Sequence, residues 1–286
     1  MKNDERSKLS DTHILLLYLL LQFENICKES NITWYASGGT CLGAVRHKGF
    51  IPWDDDIDID MPRCYYTAFI EKCSELLPDT VILRTRESDP YFFQEYIKMC
   101  FKDDEKIYSD IDLDIFLYDE TDPTRKAFRA IQNFKKTWLY YIKEYKVSKD
   151  GKGSQYVPNN PIKKLILSIF SHLPYNVIDK RLLKTMTAEK RHTDYWVDWG
   201  AAHDYKTATF DKRKLGTPVV LPFETGTVYA ANDTHYFLSR LYGSHYMEIP
   251  PIEKRKTHNV SMPANRSIDL DAIRAMVTDP ENWPKL

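Results

Sequence analysis

Ile51-Pro52-Trp53-Asp54-Asp55-Asp56-Ile57-Asp58-Ile59-Asp60-Met61-Pro62-Arg63 decides how this chain is read. Asp54, Asp56, Asp58 and Asp60 alternate with Asp55, Ile57 and Ile59, and the side chains of a strand alternate faces. Read as a strand, the segment puts four carboxylates on one face and a mostly apolar set on the other. Like charges that close repel one another, so the row is costly to hold without a cation. Hard divalent ions take carboxylate oxygens, and Mg²⁺ commonly uses one or two of them together with substrate phosphates. A solvated acidic edge strand is the plain alternative. Isoleucine at alternate positions, with Trp53 ahead of the run, favours a half-buried strand instead.

Working outward, a second acidic alternation lies downstream, where Asp110, Asp112 and Asp114 interleave with Ile111, Leu113 and Ile115. Upstream, Ser37-Gly38-Gly39-Thr40 breaks a short strand expected at residues 32–36 and precedes one or two helical turns at 41–46. Backbone that approaches phosphate needs small residues, because N–H groups in a turn or at a helix start must reach the anion. Neither Gly-x4-Gly-Lys-Ser/Thr nor Gly-x-Gly-x-x-Gly occurs, which removes the P-loop and counts against a dinucleotide fold. A glycine turn followed by two acidic strands points to metal-dependent phosphoryl transfer, where positioning and charge neutralisation do most of the work.

The 286 residues are 43% hydrophobic and 28% charged, ordinary values for a globular protein with a sizeable core. A formal charge of −1 gives no overall basic field for nucleic acid. Five cysteines, Cys27, Cys41, Cys64, Cys73 and Cys100, form no Cys-x-x-Cys pair and are expected to pack as small apolar residues in a reducing cytoplasm. The apolar run at residues 14–21 is too short to span a bilayer, and the N-terminal residues lack a signal-peptide pattern. Helices are expected at 11–30, 65–77, 124–146, 161–172, 176–191 and 234–242, and strands at 81–84, 92–101 and 110–118. The order of strands and helices predicts an α/β or α+β sheet domain.

The run from Ser37 through Asp56-Ile57-Asp58-Ile59 resembles the signature of the LicD family, phosphocholine transferases and their fukutin-related relatives. Leu113-Asp114-Ile115-Phe116, the stretch around Lys98, Pro222-Phe223-Glu224 and Tyr242-Gly243-Ser244-His245-Tyr246-Met247-Glu248-Ile249-Pro250-Pro251 are similar to further family motifs. The resemblance covers about residues 32–258. Leu117, and Ala230-Ala231-Asn232-Asp233, stand where the family often has proline, in positions where substrate-facing loops can differ.

The resemblance implies an α+β fold, a nucleotidyltransferase-like mixed sheet flanked by helices with an additional helical region. The expected division is a catalytic core at 1–123, a mainly helical region at 124–200, and a segment at 201–286 completing the catalytic domain. It implies Asp56, Asp58 and Asp114 as ligands of Mg²⁺, or Mn²⁺ in its place, with Asp114 alternatively the base for the acceptor hydroxyl. Asp112 is the rival third carboxylate. Gly38, Gly39 and Thr40 would line the phosphates of a CDP-linked donor, with Arg46, Lys48 and Lys98 as neutralising cations. The roles of His47 and His258, each a base or donor contact or merely a loop residue, stay open. The implied reaction moves a phospho-alcohol, phosphocholine first, from CDP-choline or a similar donor to a hydroxyl of a cell-surface glycan or its lipid-linked precursor. Lipopolysaccharide, teichoic acid and capsule polysaccharide are the acceptor classes, and CMP is released. The place expected is the cytoplasm, peripheral to the inner face of the membrane. A nucleotidyltransferase moving NMP, or a non-catalytic binding protein of the same fold, is the alternative.

Overall fold

The computed structural model describes residues 9–102, 107–201, 203–255 and 268–284, with only the backbone of residues 109–110. His258 and Lys256 lie outside the described residues. The fold is α+β, as expected, and the chain divides into two compact units. The first comprises residues 1–83, 97–117 and 213–286, and the second residues 84–96 and 118–212.

The first unit opens with α1 (Asp11–Glu29), whose first turn is capped by the Ser10 hydroxyl accepting the His13 N–H. Eleven of its nineteen residues are buried, nine of them large hydrophobics and one cysteine. It is followed by β1 (Tyr35–Ala36), α2 (Gly38–Arg46), β2 (Ile57–Pro62), α3 (Tyr66–Leu76), β3 (Val81–Arg84), β4 (Ile97–Lys102) and β5 (Ile107–Thr121). The strand order is β1-β2-β5-β4-β3, with β1–β2 and β4–β5 antiparallel. Two differences from the sequence reading matter. Gly38-Gly39-Thr40 ends the strand and opens the helix as expected, but the helix begins at Gly38 and not at residue 41, because Ser37 takes the extended N-cap conformation and Cys41 N–H already bonds the Ser37 carbonyl. The acidic strand starts only at Ile57, so Asp54 and Asp56 belong to the approaching loop and not to the strand.

The second unit holds the end of β5, α4 (Lys126–Lys149), α5 (Pro161–Phe170), α6 (Tyr175–Met186), β6 (Tyr195–Asp198) and β7 (Thr209–Asp211). Tyr118–Thr121 pairs antiparallel with β6, and β6 with β7. Ile142, Leu167 and Ile178 join α4, α5 and α6 in one core cluster. Lys143 is fully enclosed there, and its Nζ lies 2.6 Å from Asp179 Oδ1. Burial pushes the Lys143 ammonium down to about 8, against the opposing pull of that carboxylate.

The chain then forms the short helix α7 (Lys212–Leu215), and returns to the first unit with β8 (Val219–Phe223), β9 (Gly226–Ala230), α8 (Thr234–Tyr242) and α9 (Leu270–Thr278). β8 and β9 form an antiparallel hairpin, and α9 packs along α1. Aromatic contacts tie these late elements to the N-terminal ones: Trp34 meets Tyr229 edge-on at 5.2 Å, and Phe50 meets Phe223 at 4.9 Å. Cys27, Cys41, Cys73 and Cys100 are buried as expected. Cys64 is exposed, a correction that follows from its place in a single 3₁₀ turn after Pro62, which offers no face to the core. No helix among the described residues is long and apolar enough to cross a membrane.

One buried carboxyl in α1 stands apart from the candidate site. Glu24 is 6% exposed, and burial raises it to about 8 from an ordinary 4.5. The folded state therefore binds more protons than the unfolded chain between those values, and stability falls as pH rises through that window. Glu24→Gln is expected to raise stability by roughly 1–3 kcal/mol at pH 7 and to change it little at pH 4. Urea unfolding at the two pH values measures this; an equal effect at both would contradict it.

Candidate functional site

The site is organised where the start of α2 meets β2. Ser37 N–H bonds the Asp58 carbonyl at 2.9 Å, and Asp58 N–H donates to Thr40 Oγ1 at 2.8 Å. These two bonds hold the first turn of α2 against the strand that carries Asp58. Gly38 has φ +43°, a left-handed conformation that costs a residue with a side chain. A Cβ on Gly38 would overlap the Asp58 carboxylate, and one on Gly39 would overlap the Asp54 carboxylate. The glycine pair is thus required by the close approach of carboxylates to backbone.

β2 lies beside β5, so Asp58 and Asp114 stand on neighbouring strands. In the β4–β5 ladder Lys98 is directly opposite Asp114, and Asp112 is opposite Cys100. Lys98 Nζ lies 3.0 Å from Asp114 Oδ1 and donates a short hydrogen bond to Asp112. Asp112 and Asp114 are 6% and 8% exposed. Burial pushes the Asp58 carboxyl well up, and Asp56, Asp114, Asp54 and Asp60 push it further. Asp114 rises to about 7, through burial first and then Asp112, with Lys98 opposing. Burial works against the charge of Lys98, but Asp114 and Asp112 outweigh it and hold the ammonium. The cluster is therefore several mutually repelling carboxylates and a lysine, in a place where water screens little.

The structure thus brings Asp56, Asp58 and Asp114 into one field with Gly38, Gly39, Thr40 and Lys98. Arg46 and Lys48 belong to the other end of α2, about 12 Å along its axis from Gly38. Arg46 Nη1 donates to the carbonyls of Tyr246 and Glu248 at 3.0 and 3.2 Å, and its Nε donates to His47 Nε2 at 2.9 Å. Burial lowers the Arg46 guanidinium from its ordinary value, with Tyr242 and then Asp54 opposing. Lys48 is exposed, with φ +64° and its Nζ 3.4 Å from the Val45 carbonyl. His47, accepting at Nε2 from Arg46, is held neutral; burial and then Arg46 lower it further.

Further residues shape this region, among them His13, to which the sequence gives no role, and Glu224 and Tyr242, which it marks only as parts of family-like motifs. His13 of α1 stacks on Phe50 at 4.2 Å with its Nε2 2.8 Å from the Asp54 carbonyl, which fixes the loop ahead of β2. Glu224 accepts the Phe50 N–H at 2.9 Å, and its own N–H bonds the Lys48 carbonyl, so the Pro222-Phe223-Glu224 motif clasps that loop from the other side. Burial raises the Tyr242 phenol, then the fields of Asp58 and Asp54 raise it more, although 43% of the residue stays exposed. The Arg255 guanidinium lies over Trp53 at 4.3 Å. The motif-like segments around 222–224 and 242–251 marked the neighbourhood, but the contacts cross about 170–200 residues of chain and are not readable from spacing.

Among the described residues no group of three or more His, Cys, Asp or Glu is already arranged as a metal cage. The donor set nevertheless fits a hard divalent cation. Asp56 and Asp58 offer carboxylate oxygens in a desolvated cluster whose mutual repulsion a cation would relieve, and Mg²⁺ characteristically takes only one or two carboxylates and fills its sphere with phosphate oxygens and water.

The likeness to known proteins agrees with this geometry. Residues 31–150 match the LicD/FKTN/FKRP nucleotidyltransferase domain. The chain is 27% identical over 274 residues to the lipopolysaccharide cholinephosphotransferase LicD of Haemophilus influenzae, covering 88% of this chain and 96% of that protein. It is also 43% and 41% identical over 56 residues to uncharacterised proteins of Rickettsia typhi and Rickettsia prowazekii, covering 19% of this chain and 18% and 21% of those proteins. Residues 31–150 thus carry the likeness to a LicD-type nucleotidyltransferase domain, and the similarity to a LicD protein runs over most of the chain.

Proposed function

We propose that this chain is a phosphotransferase that moves phosphocholine from a CDP-linked donor to a hydroxyl of a cell-surface glycan or its lipid-linked precursor, releasing CMP. The observation that carries the reading is the pair of desolvated carboxylates, Asp58 and Asp114, on adjacent strands beside the glycine start of α2. The choice of choline and of a lipopolysaccharide acceptor rests on the H. influenzae relative, whose name gives that activity.

Asp56 and Asp58, with Asp114 as third candidate, would hold Mg²⁺ or Mn²⁺, which would supply Lewis-acid neutralisation of the phosphate oxygens. The protein's own groups do the rest. The start of α2, with its positive dipole end, would face the donor phosphates favourably, and Gly38 and Gly39 let the Asp58 and Asp54 carboxylates pack against it. The acceptor oxygen attacks the distal phosphorus in line, its bond to phosphorus forms, and the bond from that phosphorus to the CMP oxygen breaks. Where Asp114 is not itself a ligand of the cation, its carboxylate would take the acceptor proton. Lys98 holds Asp114 in place and balances part of the charge that builds on the transferred phosphoryl group.

Three outcomes test this reading. In a panel of CDP-choline, CDP-ribitol, CDP-glycerol and CTP with a divalent cation, one CDP-alcohol is expected to raise the melting temperature and to yield CMP with acceptor. Preference for CTP with pyrophosphate release would replace the reading with nucleotidyl transfer. Asp58→Asn is expected to cut turnover at least about a thousandfold, while leaving the metal-free protein as stable as wild type or more so. A loss of folding in that variant would show that Asp58 serves structure and not chemistry. Gly38→Ala is expected to cost about 1–3 kcal/mol in urea unfolding, because it adds left-handed strain to an overlap with Asp58; a neutral result would remove the close-packing argument.

A further inference from the structure

The second unit carries a surface that the transfer chemistry does not explain. In α5, Pro161-Ile162-Lys163-Lys164-Leu165-Ile166-Leu167-Ser168-Ile169-Phe170, only Leu167 is buried. At 100° per residue, Ile162, Leu165 and Ile169 fall on one stripe, well round the helix from Leu167. Their exposures are 68, 63 and 60%. The helix is thus apolar on the side that packs and also on the side that does not. An isolated exposed leucine needs no explanation, but an apolar stripe repeating at 162, 165 and 169 does.

The charge around the stripe indicates what covers it. Residues 124–191 contain sixteen Lys and Arg against four Asp and Glu, in a chain whose formal charge is −1. α5 has two lysines and no acid; Lys164 is exposed, and Lys163 lies over the Tyr141 ring. On α6, Lys180, Arg181 and Lys184 are exposed beside Leu183, itself 41% exposed. The acids of residues 161–191 are Asp179 and Glu189, and both are engaged, Asp179 with Lys143 and Glu189 with Arg125 and Arg191. An apolar stripe in a strongly basic stretch of chain is the lipid-facing signature of an in-plane helix. A second copy of the same face would bring lysine against lysine, whereas an anionic bilayer surface is complementary to both the stripe and the charge.

We infer that α5 is an in-plane membrane-binding helix, which seats Ile162, Leu165 and Ile169 in the headgroup region of an anionic bilayer while Lys164 and the basic residues of α6 meet lipid phosphates. The inference does not rest on the transfer reaction, and its test uses no substrate.

The test is flotation of the full chain with vesicles of phosphatidylcholine alone or with about 30% phosphatidylglycerol, at low and high salt. Wild type is expected to bind the anionic vesicles at least about tenfold better than the neutral ones, and to weaken as salt screens the charge. Ile162→Asp with Ile169→Asp is expected to lose that binding about tenfold with an unchanged melting temperature, and Lys164→Glu to lose it severalfold. Equal binding to both compositions, no binding to either, or undiminished binding by the aspartate variant would overturn the inference. Sedimentation of wild type as a dimer that the aspartate variant dissolves would also overturn it and give the stripe to a second copy. Binding of a soluble polyanion that the aspartate variant keeps would assign the basic face to an anionic polymer instead and overturn the lipid reading.

Discussion

Repulsion among desolvated carboxylates is the constraint around which this molecule is arranged. Asp58, half-buried, ionises against its own burial and the fields of Asp56, Asp114, Asp54 and Asp60. A chain relaxing freely would separate these groups. Here Ser37 and Thr40 bind the backbone on either side of Asp58, and the apolar face of β2 is sunk in the core, with Ile57, Ile59 and Met61 wholly buried. The stability of the apolar side holds the polar side in a geometry it would not choose. Such strain is typical of a site made for a ligand that carries the missing charge.

The support is assembled from both ends of the sequence. His13 fixes the Asp54 carbonyl from α1, and Glu224 fixes the Gly49–Phe50 turn from the β8–β9 hairpin. Arg46 binds the carbonyls of Tyr246 and Glu248, and Arg255 covers Trp53. These contacts give the C-terminal motifs a physical purpose. They hold the loop that delivers Asp54 and Asp56 to the end of β2, where strand pairing alone does not reach.

Much of this was legible in the sequence, and the parts that were not share a cause. Apolar alternation in residues 57–61 and in 111–115 announced two strands, but they are buried on both faces and not half-buried, since the carboxylates are enclosed as well. The helices expected at 11–30, 65–77 and 234–242 are found at 11–29, 66–76 and 234–242, the first of them announced by its Ser10 cap. The glycine pair was placed rightly between a strand and a helix, but the helix was started three residues late because glycine is a poor helix former; the Asp58 carboxylate, twenty residues on, is what demands glycine in that first turn. The acidic strand was read too long because alternation continues through Asp54 and Asp56 after the hydrogen-bonded ladder has stopped. The engagement of Arg46 with distant carbonyls and the role of Glu224 depend on contacts about 170–200 residues apart, which no local pattern encodes. The α5 helix shows the opposite failure: its periodicity was plain, but whether its apolar face packed inward depended on neighbours that turned out to claim only Leu167.

The clasp by Glu224 has a consequence for how the protein comes into being. The acidic run leaves the ribosome more than 160 residues before the residue that fixes its leading loop. Contacts so far apart in sequence are slow to form, because the closure entropy must be met before they reward it. A chain released early, at any point before the β8–β9 hairpin, holds the Asp56-Ile57-Asp58 motif intact and yet lacks the hydrogen bond that shapes the approach to it. Competence therefore arrives with the last quarter of the polypeptide, and incomplete translation products carry the acidic signature without the geometry that gives it meaning.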